Sequence, residues 1–144
     1  MRAVFMGSAP LSCASFEVVL GMCDVAAVVT QPDRPRGRRL EVCECAVKAS
    51  AGDRVGAILT PKRVNDPDSV EAIAALRPAV IIVVAYGQIL RPSLLTLPPL
   101  GCINVHTSLL PKYRGAAPIQ WAIANGETTT GVSTMLIDEG LDTG

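Results

Sequence analysis

Residues 79–85 decide the fold of this chain, and they read Ala-Val-Ile-Ile-Val-Val-Ala. The run is apolar throughout and rich in β-branched residues, which fit the pleated surface of a sheet. A strand that is apolar on both faces is buried on both faces, as at the centre of a parallel sheet with helices above and below. We therefore expect residues 79–85 to form a central strand of an α/β domain.

Strands and helices alternate on either side of that run. The strands are expected at residues 2–6, 25–30, 56–59, 79–85, 101–106 and 131–137. Helices are expected at residues 13–20, 42–51 and 118–125, with a further helix that begins at Asp66-Pro67, and residues 31–40 are expected to be a loop. This alternation predicts a doubly wound, mostly parallel, Rossmann-like sheet. The length of 144 residues fits one domain over residues 1–144.

The overall charge is balanced, with 13 basic and 13 acidic residues. A balanced chain has no global field that attracts nucleic acid, so any such attraction has to be local. The apolar run at residues 79–85 is far too short to span a bilayer, which takes about 20 residues. The sequence opens directly on a strand without a signal segment, so we expect a cytoplasmic protein that does not enter a membrane.

Two common kinds of site are disfavoured by the sequence. Five cysteines without a Cys-x-x-Cys pair, together with a single histidine, do not make a zinc site, so no metal is expected. The first strand is followed by Gly7-Ser8-Ala9-Pro10 rather than by Gly-x-Gly-x-x-Gly, and no Walker-type lysine is present, which argues against a bound nucleotide. Most of the cysteines are interpreted as small buried residues of a reducing compartment, and Cys102 as a packing residue rather than a nucleophile.

The strand at residues 101–106 carries the most informative side chains. His106, the only histidine, lies two positions after Asn104, so both side chains point to one face, roughly 6.5–7 Å apart. Ligands of open α/β sheets bind outside the carboxyl ends of strands, where His106 is expected. With a carboxylate from the tail (Asp138, Glu139 or Asp142), these groups can stabilise an oxyanion and move a proton. The alternative is a histidine that is simply packed in the core.

Two loops that follow strands are further candidates. Gly87, just after the central strand, allows a ligand to approach the backbone closely, although a plain turn glycine fits as well. The loop after the second strand places four arginines within six residues, namely Arg34, Arg36, Arg38 and Arg39. Arginine grips phosphates with two parallel hydrogen bonds, which suits a polyphosphate or RNA partner. The alternative is an ordinary solvated loop.

Several segments together resemble the N-terminal part of methionyl-tRNA formyltransferases, a branch of the folate-dependent formyltransferases. Residues 101–106 (Gly-Cys-Ile-Asn-Val-His), 108–111 (Ser-Leu-Leu-Pro) and 140–144 (Gly-Leu-Asp-Thr-Gly) carry a pattern shared by these enzymes broadly. Residues 31–35 (Gln-Pro-Asp-Arg-Pro) and 114–120 (Arg-Gly-Ala-Ala-Pro-Ile-Gln) indicate the tRNA-directed branch. The resemblance implies the N-terminal catalytic domain over residues 1–144, C-terminally truncated, without the remaining strands and the small β-barrel domain of the family.

The reaction implied by the resemblance moves a formyl group from 10-formyltetrahydrofolate to the amine of initiator methionyl-tRNA, at the start of protein biosynthesis. Asn104 and His106 would stabilise the tetrahedral intermediate, and Asp142, which occupies the matching place in Leu-Asp-Thr-Gly, would complete the catalytic set. Alternatives are a related folate enzyme acting on a sugar-nucleotide or purine-ribonucleotide amine, a hydrolase of the formyl donor, or an inactive folate-binding fragment. No stable protein partner is expected.

The resemblance also implies which residues bind the two substrates. Folate would lie against Tyr86, Gly87, Gln88, Ile89, Leu90, Ser108, Leu109, Pro111, Ile137, Asp138 and Gly140, largely through backbone groups. The acceptor end of the tRNA would contact Arg34, Arg36, Arg38 and Arg39. Thr107 stands where relatives often have glycine. Because the chain ends two residues after Asp142, we expect this residue to lie in a frayed tail, with the covering edge strands missing.

Overall fold

The computed structural model describes residues 1–36 and 41–144. The strands within these ranges are β1 (Arg2–Gly7), β2 (Asp24–Val29), β3 (Arg34–Arg36), β4 (Glu41–Cys43), β5 (Ile58–Leu59), β6 (Val80–Val84), β7 (Cys102–His106) and β8 (Ser133–Leu136). The helices are α1 (Ser12–Met22), α2 (Ala46–Ala51), α3 (Pro67–Ala75), α4 (Pro92–Leu95) and α5 (Pro118–Ala124), with a short 3-10 turn at Gly52–Arg54. None of the helices in these ranges is long and apolar enough to cross a bilayer.

The main sheet has the strand order β5-β2-β1-β6-β7-β8. All neighbours in it are parallel except β7 and β8, which pair antiparallel. The apolar run predicted to be central is β6, which pairs with β1 on one side and β7 on the other. The prediction of a mostly parallel α/β sheet is therefore confirmed, and β8 is its antiparallel edge.

Alternate side chains of β1 pack into two hydrophobic cores, one on each face of the sheet. Val4 and Met6 pack with Ile73 of α3 and Leu94 of α4, whereas Phe5 packs on the opposite face with residues of α1 and α2. This separation follows from the two-residue period of a strand. Each fully buried side chain of this size contributes roughly 1.5–3 kcal/mol through removal from water. Helices on both faces make the sheet doubly wound, as predicted.

The segment after β2 differs from its prediction. Residues 31–40 were expected to be a loop and 42–51 a helix, but β3 pairs antiparallel with β4, and the helix begins only at Ala46. The reason is a tertiary contact at the base of this hairpin. Asp33 Oδ1 accepts a hydrogen bond from the N–H of Cys45 at 3.3 Å, and Lys48 Nζ lies 2.6 Å from Asp33 Oδ2. These bonds hold the two legs together, so tertiary context overrides the local helical pattern.

Candidate functional site

A cavity of about 560 Å³ opens at the carboxyl ends of β6 and β7. Its walls are the loop after β6, the end of β7, residues 115–118 and the tail at residues 137–144. This is the edge at which open α/β sheets bind ligands. A volume of this size lies within the usual range of small-molecule sites, roughly 300–1,000 Å³.

Asn104, His106 and Asp142 converge on this cavity. Asn104 Nδ2 donates to Asp142 Oδ1 at 3.5 Å, and His106 Nδ1 lies 3.6 Å from Asp142 Oδ2. The side chains of His106 and Asp142 are only 7% and 13% exposed. The two-residue spacing on β7 puts the amide and the imidazole on one face, as the sequence predicts, and the carboxylate then lies against both. A carboxylate–imidazole contact so little exposed is weakly screened by salt and water.

The tail that carries Asp142 is folded against β7, contrary to the expectation that it frays. Asp142 Oδ2 accepts the N–H of Gly115 at 2.7 Å, which ties the tail to the loop before α5. Asp138 shapes the turn before it, because its Oδ1 accepts the N–H of Gly140 at 2.9 Å and the hydroxyl of Thr143 at 2.7 Å. These local hydrogen bonds supply the order that a free tail would lack.

Asp138 and Glu139 were the competing carboxylates, and both line the cavity. Asp138 is engaged within its own turn, where the hydrogen bond from Thr143 holds the pKa of its carboxyl below the usual value. Within the described residues, Asp142 is the one of these three carboxylates that contacts both Asn104 and His106. The geometry therefore favours Asp142 as the carboxylate of the set.

The second ring nitrogen of His106 faces a backbone carbonyl. Nε2 lies 2.8 Å from the oxygen of Tyr113. A carbonyl oxygen can only accept, so Nε2 carries the hydrogen in this contact, and Nδ1 faces the carboxylate. Both nitrogens therefore face acceptors. The arrangement offers an amide donor and a ring that can hold or release a proton at Nδ1.

Tyr86 lies in the cavity wall, but its side chain belongs to the core. The ring is buried, and its hydroxyl has no hydrogen-bond partner in the described part of the chain. Burial raises the pKa of this phenol well above its usual value. Its carbonyl accepts hydrogen bonds from Ser8 Oγ at 3.1 Å and from Gln31 Nε2 at 3.3 Å. Tyr86 is thus an anchor of the loop after β6.

Gln88 and Leu90 are likewise committed to folding. Gln88 Oε1 accepts the N–H of Val64 at 2.9 Å, and Nε2 donates to the carbonyl of Pro61 at 3.3 Å. Leu90 is buried in the core cluster with β6. What the loop offers to the cavity is therefore its backbone and the side chain of Ile89, which is 79% exposed.

The predicted folate residues divide into two groups in the structure. Tyr86, Gly87, Gln88, Ile89, Leu90, Ile137, Asp138 and Gly140 line the cavity. The residues Ser108, Leu109 and Pro111 are not part of its wall. Ser108 is fully buried, and its hydroxyl donates to the carbonyl of Lys112 at 2.6 Å. This trio forms the turn behind His106.

Two of the four predicted arginines, Arg34 and Arg36, lie on β3, and Arg38 and Arg39 lie outside the described residues. Arg34 opens the hairpin, and its Nη2 donates to Gln31 Oε1 at 3.3 Å. Arg34 also lines a second cavity of about 310 Å³, which shares residues 85–87 with the first. Arg36 is the last residue of β3. The hairpin therefore lies beside the candidate site.

Two contacts of the candidate site were not predicted from the sequence. The Tyr113 carbonyl that faces His106 and the Gly115 N–H that binds Asp142 are backbone groups, so residue types give no direct signal for them. Both residues have positive φ values, 54° and 84°. A glycine at 115 is consistent with such a turn, whereas nothing in the sequence singles out Tyr113.

Neither a cluster of metal-ligating side chains nor an acidic thiol on β7 is found in the described ranges. Residues 1–36 and 41–144 contain no group of three or more His, Cys, Asp and Glu side chains that could hold a metal ion. Cys102 is buried on β7, with its Sγ 3.6 Å from the carbonyl of Leu94, and burial raises the pKa of its thiol to about 11. A thiol that stays protonated is a packing group rather than a nucleophile.

Comparisons with known proteins place this geometry in a family. A methionyl-tRNA formyltransferase from Geotalea uraniireducens is 51% identical over the whole chain, which covers 46% of that relative. One from Caldanaerobacter subterraneus is 53% identical, again over the whole chain and 47% of the relative.

This chain thus spans about half the length of the curated relatives it matches. A crystal structure of phosphoribosylglycinamide formyltransferase from Bacillus halodurans matches with a TM-score of 0.79 at 21% identity, over 100% of this chain and 75% of that one. At that identity the likeness shows a shared fold. Residues 12–144 match the formyl transferase family, and the chain therefore belongs to that family.

Proposed function

We propose that residues 1–144 are the N-terminal catalytic domain of an enzyme that transfers a formyl group from 10-formyltetrahydrofolate to the amine of initiator methionyl-tRNA. The convergence of Asn104, His106 and Asp142 on one cavity carries the proposal. Relatives about 50% identical over the whole chain bear the name methionyl-tRNA formyltransferase, which supports the choice of acceptor. The activity belongs to translation initiation, and we infer a cytoplasmic location without a stable protein partner.

In the proposed reaction, the site stabilises a negatively charged oxygen, transfers a proton and stabilises the protonated imidazole. The neutral amine attacks the formyl carbon, and a C–N bond forms while the carbonyl oxygen becomes negative. The C–N bond to the folate nitrogen then breaks, and the proton lost by the amine passes to that nitrogen. Asn104 Nδ2 donates to the negative oxygen without changing its own charge, a contribution worth about 10²- to 10³-fold in rate. His106 holds or moves the proton at Nδ1, and Asp142 stabilises the protonated ring.

The first cavity is the place proposed for the folate. It lies between residues 86–90 and the tail that includes Ile137, Asp138 and Gly140. Because Tyr86, Gln88 and Leu90 use their side chains for folding, the folate would be read mainly by backbone N–H and C=O groups of this wall. Ser108, Leu109 and Pro111 would act indirectly, through the shape of the turn that follows His106.

The arginine hairpin is proposed to hold the acceptor end of the tRNA. Arg34, Arg36, Arg38 and Arg39 supply local positive charge in a chain that is neutral overall. Phosphate contacts by arginine are bidentate and independent of base identity, which suits binding along a backbone. The hairpin lies beside residues 85–87, which also border the first cavity, so a held acceptor end would reach the donor.

A second candidate is formyl transfer to a small amine such as phosphoribosylglycinamide, or hydrolysis of the donor. The fold shared with phosphoribosylglycinamide formyltransferase favours it. That likeness is at 21% identity, whereas the relatives named for the tRNA reaction are about 50% identical. A small acceptor would also not need the phosphate contacts proposed for the arginines at residues 34–39.

Acceptor choice separates these functions in one assay. The 144-residue chain is given 10-formyltetrahydrofolate with methionyl initiator tRNA, with phosphoribosylglycinamide, or with buffer alone. We expect formylated methionyl-tRNA and no comparable product in the other two reactions. Faster formylation of the small amine would overturn the proposal, and so would release of formate at the same rate in all three. A folded chain that binds folate without turnover would instead be a binding fragment.

A further inference from the structure

Tyr113 adopts a strained backbone conformation next to the candidate site. Its φ of 54° lies in the left-handed region, which is unfavourable for a bulky residue that carries a Cβ. The same residue supplies the carbonyl that lies 2.8 Å from His106 Nε2. Strain of this kind persists only where the surrounding contacts hold it in place.

Glu127, just beyond α5, holds Tyr113 from outside the cavity. The Tyr113 hydroxyl donates to Glu127 Oε1 at 2.8 Å, and Lys112 Nζ lies 2.9 Å from the same oxygen. On the inner side, the buried Ser108 hydroxyl donates to the carbonyl of Lys112 at 2.6 Å. The Lys112–Tyr113 pair is thus fixed at both ends, and Glu127 is not part of the cavity wall.

We propose that Glu127, acting through Tyr113, is a positioning residue that keeps the hydrogen of neutral His106 on Nε2. The ring has two acceptors that compete for this hydrogen, the Tyr113 carbonyl at 2.8 Å and Asp142 Oδ2 at 3.6 Å. If the carbonyl moved away, a hydrogen on Nδ1 facing the carboxylate would become the better arrangement, because a charged acceptor binds more strongly than a neutral one.

The consequence for chemistry lies at Nδ1. With the hydrogen on Nε2, the lone pair of Nδ1 faces Asp142 and the cavity, where it can take a proton from an incoming amine. With the hydrogen on Nδ1, that nitrogen cannot accept. This consequence rests on the proposed function, whereas the claim about the ring hydrogen does not. The two can therefore fail separately.

Nuclear magnetic resonance of the ring nitrogens tests the claim directly. His106 is the only histidine, so the ¹⁵N-labelled chain gives one pair of imidazole signals, whose shifts report which nitrogen carries the hydrogen. The spectrum is taken well above the pH range in which histidine side chains titrate. The Tyr113 hydroxyl still donates there, because its hydrogen bond to Glu127 raises the pKa of that phenol.

The variants separate the proposed path from general loss of structure. Tyr113→Phe and Glu127→Ala each remove the hydroxyl–carboxylate contact, and each should shift the ratio of the two ring forms toward Nδ1–H by about three- to tenfold. Glu127→Gln keeps an oxygen acceptor and should stay near the parent. Glu17→Ala is the matched control, because Glu17 on α1 is also a surface carboxylate and pairs with Arg54, far from His106 along the chain. It should change nothing at His106.

The double variant Tyr113→Phe/Glu127→Ala should show the same shift as either single variant, because both act on one contact. Unchanged His106 signals in folded Tyr113→Phe and Glu127→Ala would overturn the proposal. So would a shift in Glu127→Ala alone, or additive shifts, since Glu127 would then act by another route. Should Tyr113→Phe fail to fold, Glu127→Ala against Glu127→Gln still decides the question.

Discussion

The site at β7 and the hairpin of β3 and β4 share one arrangement, in which a single aspartate binds both a backbone N–H and a side-chain nitrogen. Asp142 joins the N–H of Gly115 at 2.7 Å to the ring of His106, in a place where both side chains are nearly buried. Asp33 joins the N–H of Cys45 at 3.3 Å to the ammonium of Lys48, where the pair is about a quarter exposed.

The difference in exposure separates the two roles. A polar contact that is shielded from water interacts strongly and fixes geometry, whereas a more exposed contact is screened and contributes less. Groups proposed to react are thus mounted on a rigid strand edge, and groups proposed to grip a large substrate are mounted on an appended ribbon. Rigid placement suits chemistry, and a surface connection between strands suits the binding of a large partner.

The largest effect is expected from the strand edge. Asn104→Ala, His106→Ala and Asp142→Asn should each lower kcat for formyl transfer by about 10²- to 10³-fold, because each removes a group that is proposed to act on the transition state. The binding of tRNA should be unchanged. Glu139→Gln is the matched control, a carboxylate in the same cavity without a place in the set. Steady-state kinetics check this, and an equal loss in Glu139→Gln would contradict the assignment.

The hairpin should respond in binding rather than in turnover. Replacement of Arg36, Arg38 and Arg39 by alanine should raise KM for methionyl-tRNA by about tenfold or more and leave donor binding intact. If each contacts a phosphate of a single strand, the slope of log K against log salt should fall by about 0.7 for each arginine. Arg2→Ala, whose guanidinium pairs with Asp24 elsewhere, is the control. An equal weakening of donor binding and of tRNA binding would contradict the separate roles proposed for the two regions.

Tyr86 borders both cavities, and its side chain contacts neither Asp142 nor Asp33. A substitution there tests packing between the two regions. Its buried hydroxyl lacks a partner in the described ranges, so Tyr86→Phe should raise the free energy of unfolding by about 1 kcal/mol. That corresponds to roughly 3 °C in Tm. Tyr113→Phe, which loses a hydroxyl that does donate to Glu127, should not stabilise the chain. Thermal unfolding decides, and a destabilised Tyr86→Phe would mean that the hydroxyl has a partner after all.

The smallest effect is expected from the contribution of Asp33, at the base of the hairpin, to stability at low pH. The Lys48 hydrogen bond holds the pKa of Asp33 below its usual value of 3.8. The folded chain therefore binds this proton less readily than the unfolded chain, and the stabilisation is present above that value and lost as the pH falls below it. The Asp33→Asn variant lacks this carboxyl and therefore lacks its share of the stability lost on acidification. Between pH 5 and pH 3, roughly the window of carboxyl titration, the Tm of the variant should fall slightly less than the Tm of the parent. A steeper decline than in the parent would contradict the sign.

Much of the fold follows from the sequence because it depends on local patterns. The apolar run at residues 79–85 places β6 at the centre, and the spacing of Asn104 and His106 on one strand fixes their common face. The approach of Asp142 was implied by family resemblance and depends on a tail folded by Asp138 and Gly115.

The remainder depends on contacts between distant residues. The hairpin forms because Asp33 binds Cys45 and Lys48, a tie that no local propensity reports. The side chain of Gln88 turns away from the cavity because Val64 offers it a backbone N–H. The Tyr113 carbonyl lies at His106 through backbone strain, which residue type does not reveal.

The measurement that tests the central claim most directly is the binding of a stable 10-formyltetrahydrofolate analogue to the 144-residue chain, by calorimetry. The parent, Asn104→Ala, His106→Ala and Glu139→Gln are compared under one set of conditions. We expect one molecule of analogue bound per chain, with binding weakened in the first two variants and retained in the third. Equal binding by all four folded proteins would place the folate elsewhere and contradict the assignment of this cavity.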